Sequence, residues 1–138
     1  MNFRRSTLQV IGQIVTPTVI AVLLGCGVSK SGAPAIVVTF DPSFLPPASL
    51  NTGAYAGIAA DVANDNQNAG VTFACDPAGA CGSFTPIGGG SAVPVCYLAP
   101  SQVPAGNTVT VTATSVTDPT KSKSATITIV SGAPNPCP

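Results

Sequence analysis

The 138-residue chain contains no His, no Glu and no Trp, and only 7% of its residues are charged, against about 25% in an ordinary soluble domain. Each absence excludes something. Without His, the chain can build no His-based triad, imidazole base or imidazole metal ligand. Without Glu, any acid–base carboxylate must come from Asp41, Asp61, Asp65, Asp76 or Asp118. Five basic residues in all are too few for nucleic-acid binding, whose affinity scales with the phosphates neutralised. The low charge does not mean disorder. The hydrophobic share is an ordinary 45%, and the formal net charge is zero. The length fits one domain. Present in quantity are 14 Gly, 14 Pro and 5 Cys.

The N-terminus is organised as an export signal. Arg4 and Arg5 form a short positive region, and residues 6–25 carry no charge, with apolar cores at 10–15 and 19–24. An uncleaved membrane helix is the rival, since it needs about 20 apolar residues. Gln9, Gln13, Thr16, Pro17 and Thr18 interrupt the run. A twin-arginine signal is disfavoured because Thr7 stands two positions after the pair and no Lys follows. The segment ends Leu23-Leu24-Gly25-Cys26, which resembles the lipobox of bacterial lipoproteins. Leu23, Gly25 and Cys26 fit that pattern, while Leu24 stands where smaller residues are commoner. The resemblance implies lipid on the Cys26 sulfur, cleavage before Cys26 and acylation of the new N-terminus. Several acyl chains on one residue hold a membrane far more firmly than one. By the same resemblance Gly27, not being Asp, implies the outer membrane in a two-membrane cell. An ordinary signal peptide with an unmodified Cys26 is the remaining alternative.

Five cysteines is an odd number for an exported chain. Setting Cys26 aside for lipid leaves Cys75, Cys81, Cys96 and Cys137, an even set with three pairings. The turn-forming residues 76–80 (DPAGA) bring Cys75 to Cys81. Cys96 then pairs with Cys137 and pins the tail. A zinc site fails on spacing, and a catalytic thiol has no base nearby.

Residues 27–34 (GVSKSGAP) form a polar linker. From Ala35 the hydrophobic period is two. Ile36, Val38 and Phe40 alternate with Val37, Thr39 and Asp41. Residues 45–50, with Pro46-Pro47, are expected to be an irregular edge. Ile58, Ala60 and Val62 share one face. Residues 64–70 (NDNQNAG) are a turn cluster. Val71, Phe73 and Cys75 share a face, residues 82–85 form a short strand, and 93–98 another. Val109, Val111 and Ala113 alternate with Thr110, Thr112 and Thr114. Ala125, Ile127 and Ile129 alternate with Thr126 and Thr128. Six or seven short strands with turns about every ten residues, and no helical period after Cys26, predict an all-β sandwich or barrel. Threonine faces replace the missing charge on the solvent side.

In order along the chain, Val38-Thr39-Phe40-Asp41-Pro42, Gly53, Ile58-x-Ala60-x-Val62, Asn64-Asp65 and Gly70-Val71-Thr72-Phe73-Ala74-Cys75 resemble bacterial immunoglobulin-like (Big-type) domains. So do Cys81-Gly82, Tyr97-x-Ala99-Pro100, Val103-Pro104, the run from Val109 to Ser115, Asp118-Pro119 and the closing strand from Ala125 to Ile129. The resemblance implies an all-β, immunoglobulin-like β-sandwich of about seven antiparallel strands. The expected organisation is a lipoprotein signal peptide at 1–25, a lipid-anchored linker at 26–34, the domain at 35–131 and a tail at 132–138. Cys96 departs from the family pattern, as does the short tail. The first supports the Cys96–Cys137 bridge, and the second implies a single copy. Family members serve as spacers, adhesive modules or presenters of other domains on exported bacterial proteins. The expected role is therefore non-catalytic, structural or adhesive, with no cofactor, no metal and no nucleic acid. The membrane, reached through lipid on Cys26, is the expected partner, besides an unidentified protein or glycan. The expected localisation follows: exported and lipid-anchored to the cell envelope, at the outer membrane or cell surface.

Other functional readings attach to particular residues. Asn64, Asp65, Asn66 and Asn68 form a candidate binding loop rich in oxygens, yet calcium usually wants several carboxylates. The plainer reading is a hairpin turn, since Asn and Asp tolerate left-handed backbone. Residues 86–92 are a second candidate contact loop. Asp41, Asp76 and Asp118 precede Pro, a turn signature rather than a glycosidase carboxylate pair. Tyr55 and Tyr97 can stack on a sugar, although Tyr97 near a sandwich corner reads as structural. Lys121 and Lys123 read as edge protection. A carbohydrate- or calcium-binding module and a fragment of a larger repeat-containing surface protein are the alternatives.

Overall fold

Alternating Val, Ile and Thr suit a pleated, half-buried surface, and strands are what they form. The structure, a computed structural model, describes residues 32–87 and 94–135. Among the described residues there is no helix, and there are nine strands. They are β1 (Val37–Phe40), β2 (Ser49–Asn51), β3 (Tyr55–Ile58), β4 (Ala60–Ala63), β5 (Val71–Asp76), β6 (Ser83–Pro86), β7 (Val95–Leu98), β8 (Thr108–Ser115) and β9 (Ser122–Val130). The expected signal peptide at 1–25 and Cys26 lie outside the described residues.

The strands form a four-stranded sheet in the order β2-β9-β8-β5, a three-stranded sheet β3-β7-β6 and the pair β1-β4. Only Ala59 separates β3 from β4. Its N–H donates to the Phe44 carbonyl at 3.0 Å, and its carbonyl accepts from the Asp41 N–H at 3.0 Å. The chain changes partner there. Ile58 is opposite Val95 on β7, whereas Ala60 is opposite Phe40 on β1. One run of chain therefore joins the β1-β4 pair to the three-stranded sheet.

The core lies between the two larger sheets. Ile58 and Tyr97 from one face meet Val109, Val111, Ile127 and Ile129 from the other, all essentially inaccessible to solvent. Burying each such aliphatic side chain contributes roughly 1.5–3 kcal/mol. Phe73, Phe84 and Tyr97 stack in series at 5.7 and 5.2 Å between ring centroids, carrying the packing from β5 to β6 and β7. This arrangement fits a β-sandwich.

The long hairpin follows its sequence pattern closely. Val109 faces Ile127 and Val111 faces Ala125 on the inner side. Thr110, Thr112 and Thr114 face Thr126, Ser124 and Ser122 on the outer side, and the Thr112 and Ser124 hydroxyls bond at 2.8 Å. The β8 threonines are only half exposed, because β5 and β9 flank them on both sides.

The nine strands exceed the expected seven or so, and one pairing is parallel. β2 runs parallel to β9, with Leu50 opposite Ile129. Pro46-Pro47 pointed to irregular chain, but both prolines lie before the ladder, where no N–H is needed. The Ala48 carbonyl already accepts from the Thr128 N–H at 3.0 Å. The single run expected after Gly53 contains both β3 and β4. Splitting the expected second strand at Ala59 accounts for the other addition.

Candidate functional site

Asn and Gly permit the backbone to turn left-handed, and the turn after β4 uses this three times. Asn64, Asn68 and Gly70 have φ of 63°, 49° and 75°. The turn closes around Asp65. Its Oδ1 accepts from the Gln67 N–H at 3.0 Å and the Thr117 hydroxyl at 2.7 Å. Its Oδ2 accepts from the Ala69 N–H at 2.9 Å and the Gly70 N–H at 3.4 Å. The Thr117 hydroxyl above all lowers the carboxyl's pKa; desolvation opposes it, and each backbone N–H adds a smaller lowering.

Thr117 belongs to the β8–β9 turn, so Asp65 ties two turns together. Asp118 organises that second turn. Its Oδ1 accepts from the Thr120 hydroxyl at 2.7 Å and the Thr120 N–H at 3.0 Å. These bonds, with the charge of Lys121, lower its pKa as well. Asn64 ties in a third segment, donating from Nδ2 to the Ala35 carbonyl at 2.8 Å. Residues 64–70, 116–121 and the chain before β1 thus form one braced end of the fold. Asn64, Asn66 and Asn68 are exposed there. The sequence pattern located the turn but carried no signal for Thr117, which lies 52 residues from Asp65.

Chemically, this end is a braced loop surface. Four donors already occupy the Asp65 carboxylate, which therefore works as a turn organiser. Among the described residues no group of three or more His, Cys, Asp or Glu side chains gathers as a metal site would require. Of the second candidate loop, residues 88–92 lie outside the described residues.

Tyr97 is fully buried, and its hydroxyl donates to the Cys81 carbonyl at 2.5 Å. Burial pushes its pKa up to about 12. Its role is internal, consistent with the structural reading of this tyrosine. Tyr55 is half-buried, and its N–H donates to the Asn135 carbonyl at 2.8 Å.

Cys75 and Cys81 form the expected disulfide, with Cα atoms 5.8 Å apart. Cys96 is also held in a disulfide. Its expected partner, Cys137, lies outside the described residues. Gly82, beside Cys81, has a φ of +95°, and a Cβ there would stand 2.0 Å from the Leu98 carbonyl oxygen. Only glycine lets the disulfide turn approach β7 so closely. Open grooves at this end are lined by residues such as Gly79, Ala80, Ser83 and Pro100, with no titratable side chain.

Compared with family models, curated proteins and solved structures, the chain matches none.

Proposed function

We infer that the chain is an exported, lipid-anchored, immunoglobulin-like domain with a non-catalytic structural or interaction role at the cell surface or in the periplasm. The observation that supports the immunoglobulin-like part of this reading is the strand order, and the Leu23-Leu24-Gly25-Cys26 resemblance supports the anchor. One layer consists of β1-β4 joined through Ala59 to β3-β7-β6, and the other is β2-β9-β8-β5. Taking 55–63 as one strand gives the four-plus-three layering of immunoglobulin sandwiches, with β2 added beside β9. Loops clustered at one end, braced by Asp65, suit presentation of a contact surface on a rigid scaffold.

The Cys96–Cys137 bridge belongs to this proposal. Asn51 Nδ2 donates to the Ala133 carbonyl at 2.9 Å, and the Tyr55 N–H to the Asn135 carbonyl at 2.8 Å, so the tail runs alongside residues 51–55. Gly57, two residues past Tyr55, is opposite Cys96. Cys137 follows Asn135 by two residues in the sequence, which supports its pairing with Cys96.

The anchor is tested by cell fractionation. The wild-type chain should partition with membranes, and Cys26→Ala should release it into the soluble fraction. An unchanged membrane fraction for Cys26→Ala would defeat the lipid-anchor reading.

A further inference from the structure

Every open sheet leaves edges, and proteins protect them with short strands, Pro, Lys or bulges. Three edge segments of this fold are protected in that way. β2 has three residues after Pro46-Pro47, β6 has four and ends in Pro86, and β1 has four, starting three positions after Pro34. β5 is different. It forms the edge of the four-stranded sheet over six residues, VTFACD, with no Pro or Lys within it and no break in its register with β8; Pro77 bounds it only at its C-terminal end.

The backbone groups it leaves without a strand partner among the described residues follow from that register. The Val116 N–H donates to the Gly70 carbonyl, its opposite residue one step before β5. Hydrogen-bonded pairs alternate along an antiparallel ladder. Thr72, Ala74 and Asp76 therefore direct N–H and C=O toward β8, as Gly70 directs its C=O, while the Gly70 N–H turns to Asp65. Val71, Phe73 and Cys75 direct theirs away from it. The side chains agree with an open flank. Phe73 and Cys75 pack on the core yet stay partly exposed, while their β8 partners Ala113 and Val111 are wholly buried.

We propose that β5 is a self-association edge: it pairs antiparallel with β5 of a second copy, Phe73 opposite Phe73 across a twofold axis. In this register Val71 lies opposite Cys75 of the other copy, so all three outward residues of each strand are used, with about six backbone hydrogen bonds in all. The charge pattern fits a second copy. Thr72 meets Ala74, both small and neutral. Asp76, the strand's one charge, meets Gly70, so no like charges oppose. The pair makes one continuous sheet of two four-stranded halves. A single edge contact falls short of the roughly 1,200 Å² typical of stable interfaces, so the dimer is weak and concentration-dependent.

Sedimentation equilibrium of the full chain in detergent, with micelles in excess, tests this. Wild type should show a monomer–dimer equilibrium. Thr72→Lys with Ala74→Lys puts Lys opposite Lys and should weaken it at least tenfold. Thr72→Lys with Ala74→Asp puts opposite charges together and should restore it, which a register shifted by one pair would not do. Val71→Pro removes an outward N–H without touching the β8 ladder and should also dissociate the dimer, with an unchanged circular dichroism spectrum as the folding control. A wild type that stays monomeric at all concentrations overturns the proposal, as does a dimer indifferent to these variants. So does a monomer whose Val71, Phe73 and Cys75 amides resist hydrogen exchange, since the chain's own residues would then cover the edge.

Discussion

Asp65 shows how one side chain can brace a whole end of the fold. Its carboxylate accepts from Gln67, Ala69, Gly70 and Thr117, and its pKa is lowered. A depressed carboxyl contributes stability above its unfolded pKa of about 3.9, and the contribution is lost as pH falls through the folded value. Wild type should thus lose thermal stability below about pH 4, and Asp65→Asn should flatten part of that slope. An identical acid profile for the variant would remove Asp65 from this role. Tyr97 works with the opposite sign. Its raised pKa favours the neutral folded form, so stability present below about pH 10 declines as pH rises toward about 12. Tyr97→Phe leaves the Cys81 carbonyl without its partner and should cost about 1–3 kcal/mol in urea unfolding. At Gly82, alanine adds a Cβ that collides with the Leu98 carbonyl. Gly82→Ala should destabilise by at least about 3 kcal/mol, and a melting temperature equal to wild type would contradict the geometry. Of these three residues, Asp65 could be read as a turn former from its neighbours. The Thr117 and Leu98 contacts are long-range and left no local trace.

At the scale of elements, legibility followed periodicity. β5, β8 and β9 from Ala125 onward alternate, and their buried faces are the ones the sequence predicts. β2 escaped because pairing with β9, rather than local preference, makes it a strand. The one-residue change of partner at Ala59 is likewise a tertiary event. The disulfide turn was legible because Cys75 and Cys81 flank Pro and Gly within six residues. Closing so short a loop is worth roughly 2 kcal/mol in the chain-entropy account. Cys75→Ser with Cys81→Ser should lower stability by about that amount while leaving the β8–β9 hairpin intact. Loss of all strand signal in circular dichroism would instead make the bridge a condition of folding.

At the scale of the whole molecule, the scarcity of charge becomes a consequence of construction. Ser and Thr line the outer side of the β8–β9 hairpin, Gly and Pro make the turns, and few charged side chains are needed. Past residue 25 the chain carries three Lys against five Asp, so its side chains sum to −2 rather than zero. The all-β architecture and the core faces were legible in composition and period. The proposed anchor rests on residues 1–26, whose meaning is chemical rather than conformational. Intact-mass spectrometry of the protein extracted from membranes therefore tests the central claim most directly. The account predicts a chain that begins at Cys26 and carries acyl mass on that residue. A mature chain with an unmodified Cys26, or one that retains residues 1–25, would contradict it.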